Sequence, residues 1–200
     1  MSRPSKKQQL IEGGLRAVRR RGLVGSSVRD VTTAADVPLG SFSNYFASKE
    51  EFGIAVIDRY FDGVRGIVAE TLLDGAQPPL ARLRAYFDAI TERLEARGWR
   101  DGCLIGNTSL DSTESNEAIR GRLSEVFAEW HEPFARCLAE AEEAGHVVLV
   151  MPPSEFADFL MASWQGAMLR MKVERSPAPL ERFKTAVFEG LLASRVRPES

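Results

Sequence analysis

Two cysteines and two histidines in 200 residues exclude a good deal of chemistry at the outset. Cys103 and Cys137 are too few for a disulfide scaffold. Together with the two histidines they show no metal-site spacing, so neither a metal nor a cofactor is expected. A nucleophile pair drawn from Cys103 and His131 has no accompanying motif, which leaves a small-molecule-processing enzyme with little support. No apolar run is long enough to span a membrane. Met1–Gln9 is polar and basic with no apolar core behind it, so no signal peptide is read and the expected compartment is the cytoplasm. Internal repeats and low-complexity tracts are also missing. What is left is an ordinary composition, 44% hydrophobic and 27% charged, with enough chain for one or two domains and a sizeable core.

Net charge is −2, which by itself argues against a polyanionic partner. Its distribution reverses the argument. Residues 1–50 hold nine Lys/Arg against four Asp/Glu, a net of +5, while the remainder holds 17 against 24, a net of −7. A basic head on an acidic body is the footprint of a nucleic-acid-binding segment attached to something else.

Nearly every segment repeats its apolar residues at helical spacing. Leu10, Ile11, Leu15 and Val18 predict a first helix ending near Gly22. Phe52, Val56, Tyr60, Val64 and Ile67 predict a long helix, and Gln77-Pro78-Pro79 breaks the chain after it. Leu80, Leu83, Phe87, Ile90 and Leu94 mark another, ending near Gly98. Asp101-Gly102 opens a short segment. Ile119, Leu123, Val126, Trp130, Phe134, Leu138 and Ala141 then lie on one face of a second long helix, which Pro133 should kink or split. His146–Met151 is read as a connection, because no partner strand exists. Ser154 can cap the next helix, which carries Phe156, Leu160, Trp164, Met168 and Met171. Leu180, Phe183, Val187 and Leu191 belong to the last. Phe188 and Leu192 add a second stripe there, and a helix with two apolar faces needs two partners, its own core and a second subunit. The expectation is an all-α homodimer joined through the last two helices.

The most informative stretch is Ser27–Phe52, SVRDVTTAADVPLGSFSNYFASKEEF. Ser27 with Asp30 forms a box-like helix start. Val28, Val31 and Ala35 share one face, and Val37-Pro38 stops the helix. Leu39–Phe46 is read as a second, very short helix. Phe42 and Phe46 anchor one side of it, while Gly40, Ser41, Ser43 and Asn44 leave the other small and polar for close approach to a groove. Two short helices joined by a tight turn match the motif that lays a helix in the major groove of DNA. Ser48-Lys49-Glu50-Glu51 is a capping box opening the long helix, and a helix N-terminus beside Lys49 suits a DNA phosphate.

On these residues Gly14–Phe52 resembles the N-terminal domain of the TetR family of transcriptional regulators. The turn, the Tyr45-Phe46 pair and the Ser-Lys-Glu-Glu start stand in that family's order and spacing. The resemblance implies an N-terminal three-helix helix-turn-helix domain, residues 1–50, and a C-terminal helical ligand-sensing and dimerisation bundle, residues 51–200. It places Arg29, Ser41, Asn44, Tyr45 and Lys49 where the family contacts a double-stranded operator, with Ser27 at a phosphate-contacting cap. Leu39 and Ser43 depart from the family's usual basic or polar and aromatic residues, so an operator sequence is not transferable. The function expected is a repressor that binds a palindrome as a homodimer and is released by a small effector or by modification of Cys103. The competing readings are an enzyme and a protein-interaction module with a vestigial DNA-binding head.

Large adaptable side chains populate the body. Trp99, Phe127, Trp130, Phe134, Trp164 and Met168 suit either an apolar effector or an ordinary core. Asn107, His131 and Gln165 would orient a bound molecule, or are satisfied core polar groups. Cys103 sits at a predicted helix start, where a thiolate is stabilised, with Arg97 and Arg100 near in sequence. Gly102-Cys103-Leu104 resembles the Gly-Cys-Leu segment of a subgroup with NemR-like and AcuR-like members, and in the NemR-like ones this cysteine senses electrophiles. The other reading of Cys103 is a small buried hydrophobe, and that is the reading taken for Cys137.

Overall fold

A computed structural model describes residues 4–112 and 116–193, apart from the side chain of Ser112; Arg3 of the basic head lies outside them. Among the described residues there are eight α-helices and no strand. In chain order these are α1 (Lys6–Gly25), α2 (Val28–Ala35), α3 (Lys49–Glu70), α4 (Pro79–Glu95), α5 (Leu104–Ser112), α6 (Glu117–Glu143), α7 (Pro153–Glu174) and α8 (Ala178–Thr185). A 3-10 turn, Leu39–Ser41, separates α2 from α3, and a π-helical stretch, Ala186–Leu191, follows α8. No helix among the described residues is long and apolar enough to cross a membrane.

Contacts divide the chain into two compact units, Met1–Val64 with Cys103–Val126, and Arg65–Gly102 with Phe127–Ser200. The first unit holds α1, α2, the 3-10 turn, the leading part of α3, α5 and the start of α6. Leu10, Val31, Phe52, Val56, Ile57, Ile105 and Ile119 form its interior. Glycine lets α1 and α2 meet closely: a Cβ on Gly13 would lie 2.7 Å from the backbone nitrogen of Ala35. Gly22, at φ 74°, breaks α1 where the sequence places its end. Closure of α2 falls to Asp36, in the left-handed region at φ 55°, whose N–H donates to the carbonyls of Thr32 and Thr33. The helix therefore ends just ahead of Val37-Pro38.

The expected helix over Leu39–Phe46 is shorter than its sequence suggests. Only one 3-10 turn forms, and the chain continues through hydrogen-bonded turns, with Tyr45 N–H (3.0 Å) and Phe46 N–H (3.1 Å) both donating to Phe42 O. Gly40, Ser41, Ser43 and Asn44 are weak helix formers, and the Ser43 hydroxyl bonds the Gly40 carbonyl at 3.3 Å instead of leaving it to a helix. The Phe42 and Phe46 anchors hold nonetheless. Their rings meet each other at 5.5 Å and Phe52 at 5.2 and 5.1 Å, so three tilted or edge-on rings pin the segment to α3.

The second unit packs α4, α7 and α8 with the remaining parts of α3 and α6. Tyr86, Phe87, Phe134, Trp164 and Phe183 form its aromatic centre, with ring centroids 4.9–5.8 Å apart. The Trp130 indole N–H donates to the Tyr86 hydroxyl at 2.9 Å. Buried Arg82 donates to the Leu72 carbonyl at 3.0 Å and pairs with Glu140. Pro133 does not split α6, which runs unbroken for 27 residues; burial of Trp130, Phe134 and Cys137 along one side outweighs a single lost backbone bond. Ser154 does not cap α7. Proline at 152 takes that place, and Ser154 sits one turn position inside. In the Phe188–Leu192 stripe, Leu192 is buried, while Phe188 is half-buried, packing on Phe87 and under Arg84. An exposed apolar face occurs on α7, where Phe159, Leu169 and Val173 align with the small residues Ala162 and Gly166.

Candidate DNA interface and effector residues

The start of α2 is built as its sequence implies. Ser27 Oγ accepts the Asp30 N–H at 3.1 Å, and the Asp30 carboxylate accepts from the Ser27 N–H at 2.9 Å and hydroxyl at 2.6 Å. Arg21 adds an ion pair to the same carboxylate. The Ser27 hydrogen bonds, then the Arg21 charge, hold Asp30 below the usual carboxylate range. Arg29, one residue into the helix, is exposed.

Of the six residues assigned to DNA, Ser27, Arg29, Asn44, Tyr45 and Lys49 are exposed. Ser41 is not: it is only 7% exposed, turned inward where the 3-10 turn meets α2. The groove-facing side of this segment therefore consists of Gly40, Ser43, Asn44 and Tyr45, with Leu39 half exposed. The start of α3 also differs in detail from a simple capping box. Ser48 Oγ accepts the Glu51 N–H at 3.0 Å, but the Glu51 carboxylate reaches past Ser48 to the Ala47 N–H at 2.8 Å. Lys49 donates to the Val24 carbonyl at 2.9 Å, tying the start of α3 to the end of α1.

Cys103 is the residue before α5, and its carbonyl accepts the first helical bond, from the Asn107 N–H at 3.0 Å. The side chain is 5% exposed. Arg97 faces Asp101 at 3.8 Å. The group against the sulfur is Tyr60 of α3, whose hydroxyl donates to Sγ at 3.8 Å. Burial, reinforced by the neighbouring thiol, pushes the Tyr60 phenol well above its ordinary value. Sequence reading places Tyr60 only on an apolar helix face and misses this pairing. Cys137 stays buried, its thiol donating to the Leu72 carbonyl at 3.4 Å, and burial raises its pKa to about 11.

Cys103 and Asn107 belong to the first unit, and the other eight effector candidates to the second. Trp130, Phe134, Trp164 and Met168 are buried in its core. Phe127 is half-buried and stacks on Trp130 at 6.4 Å. Trp99 takes a left-handed conformation, φ 59°, after Gly98, and its carbonyl accepts from Arg175 at 3.3 Å. His131 Nε2 donates to the Ser154 carbonyl at 2.9 Å, joining α6 to α7. Gln165 is half-buried on α7. The Trp164 indole N–H is buried and has no partner among the described residues.

Residues 79–187 match the family model described as the tetracyclin repressor-like C-terminal domain. This chain belongs to the TetR family. It is 44% identical to the HTH-type transcriptional repressor DhaR of Mycobacterium sp. strain GP1, over 97% of this chain and 96% of that one. To the transcriptional regulator AcuR of Cereibacter sphaeroides it is 34% identical, over 88% and 80%. The crystal structure of Escherichia coli NemR in its reduced form superposes with a TM-score of 0.86 at 26% identity, covering 96% of this chain and 99% of that one. Family membership makes this chain a DNA-binding transcriptional regulator rather than an enzyme. The capped α2 and the short polar turn after it are its helix-turn-helix.

Proposed function

We propose that this TetR-family chain is a homodimeric cytoplasmic repressor of a palindromic operator, released by a small apolar or electrophilic effector. The observation that carries the reading is the helix-turn-helix itself: a capped α2, then a turn pinned by Phe42 and Phe46 with Asn44 and Tyr45 exposed. Ser27, Lys49 and Tyr45 take phosphates, and Arg29 and Asn44 reach base edges. Ser41 supports the turn from inside. The exposed α7 face of Phe159, Leu169 and Val173 meets its copy in the dimer, which sets two heads about one DNA turn, roughly 34 Å, apart.

Two features support Cys103 as the point of release. Its sulfur sits at a helix start, and it touches Tyr60 on the same helix whose first residue, Lys49, is tied to Val24. With 5% exposure there is little room for an adduct, so modification displaces Tyr60 and strains α3 within the DNA-binding unit. Release follows only because the modified state disfavours the DNA-competent arrangement. The alternative is a reversible site within the second unit, drawn from Trp99, Phe127, Trp130, His131, Phe134, Trp164, Gln165 and Met168.

The test is selection of a duplex from a random pool, followed by titration with and without a thiol electrophile. The reading expects a palindrome with half-sites about one turn apart. It also expects binding that the electrophile abolishes in the native chain and spares in Cys103→Ser. A selected site without two-fold symmetry contradicts the dimer. Sensitivity that survives in Cys103→Ser moves release to the second unit.

A further inference from the structure

Between α1 and α2 runs an open cleft of about 540 Å³, of whose lining the helix-turn-helix reading uses only Arg29 and Asp30. Its lining is Arg16, Ala17, Arg20, Arg21, Arg29, Asp30, Thr33 and Ala34. No residue of the turn Leu39–Phe46 lines it, so it lies on the flank of α2 that faces α1. Four guanidinium groups and one carboxylate meet there.

The arrangement is ordered. Arg16 and Arg20 stand one helical turn apart on α1, and Arg29 and Thr33 one turn apart on α2, so two rows of donors form opposite walls. Ala17 and Ala34 complete the lining, and the helices cross closely at Gly13–Ala35, so that Arg16 of α1 reaches the Ala34 carbonyl of α2. Arg16 is braced by the Ala34 carbonyl, and Arg21 by Asp30. Arg20 and Arg29 are exposed, and their guanidinium groups have no hydrogen-bond or ion-pair partner among the described residues. Like charges one turn apart oppose the folded helix, and grouping them in a cleft concentrates positive potential there. A polyanion offsets that cost. Planar guanidinium forks match phosphate oxygens in pairs.

We propose that this arginine cleft is a second phosphate track, in which Arg16, Arg20 and Arg21 hold the DNA backbone on the α1 side of α2 and read no bases. The inference rests on the DNA-binding reading above. It assigns these three arginines to affinity, and leaves specificity to Arg29 at the edge of the cleft and to the turn.

Arg20→Gln is the first variant to make, because the Arg20 side chain has no partner to lose among the described residues; Arg16→Gln/Arg20→Gln is the second. Each is titrated by fluorescence anisotropy, over a series of salt concentrations, on the selected duplex and on an unrelated duplex of equal length. Helical circular dichroism and melting confirm the fold. Arg20→Gln is expected to weaken both duplexes by the same factor and to lower the slope of log K against log salt by about 0.9 per phosphate lost, roughly 1.8 for a dimer. The double variant lowers it further. Unchanged slopes in both variants overturn the track. So does a loss confined to the selected duplex, which would make these arginines base readers. If the native chain binds neither duplex, the DNA-binding reading fails and the track with it. Tight, salt-sensitive native binding with unaffected variants removes the track alone.

Discussion

The Tyr60 hydroxyl donates to the Cys103 sulfur across 3.8 Å, joining the middle of α3 to the cap of α5. Burial holds this phenol in its protonated form beyond the ordinary tyrosine range. Because the folded pKa is raised, the stabilisation is complete below the ordinary value of 10.0 and is lost as pH rises above it, where the unfolded chain ionises first. Thermal melts between pH 8 and 11 are therefore expected to fall at the alkaline end, and Tyr60→Phe to flatten that fall. An identical alkaline limb in Tyr60→Phe would mean that other groups cause it.

Asp30 has the opposite sign. Its carboxyl is held low by the Ser27 hydroxyl and N–H and by Arg21, so it contributes stability above the ordinary value of 3.8, lost as pH falls through its depressed folded value. Asp30→Asn is expected to weaken the start of α2 at neutral pH and to shrink the acid limb of the melting curve. DNA affinity should drop with it, since the Ser27 cap loses its partner.

Glycine at the α1–α2 crossing has a steric reason. A methyl at Gly13 would press on the Ala35 backbone at 2.7 Å, whereas one at Gly40 meets nothing within 4 Å. Gly13→Ala is expected to destabilise the chain by about 1–3 kcal/mol through overpacking. Gly40→Ala should stay within about 0.5 kcal/mol of the native chain, as an exposed change does. Denaturant titration of both checks the contrast.

In the second unit, Tyr86→Phe removes the hydroxyl that accepts the Trp130 indole N–H at 2.9 Å in a buried setting. The expected cost is about 1–3 kcal/mol, the penalty for stranding a buried donor. Tryptophan fluorescence should shift with it. A neutral result would show that the indole finds another acceptor.

Helix periodicity made the all-α architecture legible, because apolar residues at three- and four-residue spacing leave few alternatives. The boundary at Gly22 and the Ser27 cap follow from single-residue backbone chemistry and were equally readable. Pairings between distant segments were not. Tyr60 against Cys103, Tyr86 under Trp130 and Leu192 buried in its own chain depend on packing that no local pattern encodes. Ser41 misled for a related reason: in a 3-10 turn the side chains point along different directions from those of an α-helix, so it turned inward. The arginine cleft left a signal, the four-residue spacing of Arg16 with Arg20 and of Arg29 with Thr33, but that signal acquires meaning only once α1 and α2 are known to be neighbours.

Anisotropy titration of Asn44→Ala and Lys49→Ala against the native chain, on the selected duplex and an unrelated one, tests the DNA interface most directly. Lys49→Ala is expected to weaken both duplexes alike. Asn44→Ala should lose about 1–3 kcal/mol on the selected duplex and relax its preference at one position. Native-like affinity and preference in both variants would place the DNA interface elsewhere on the chain.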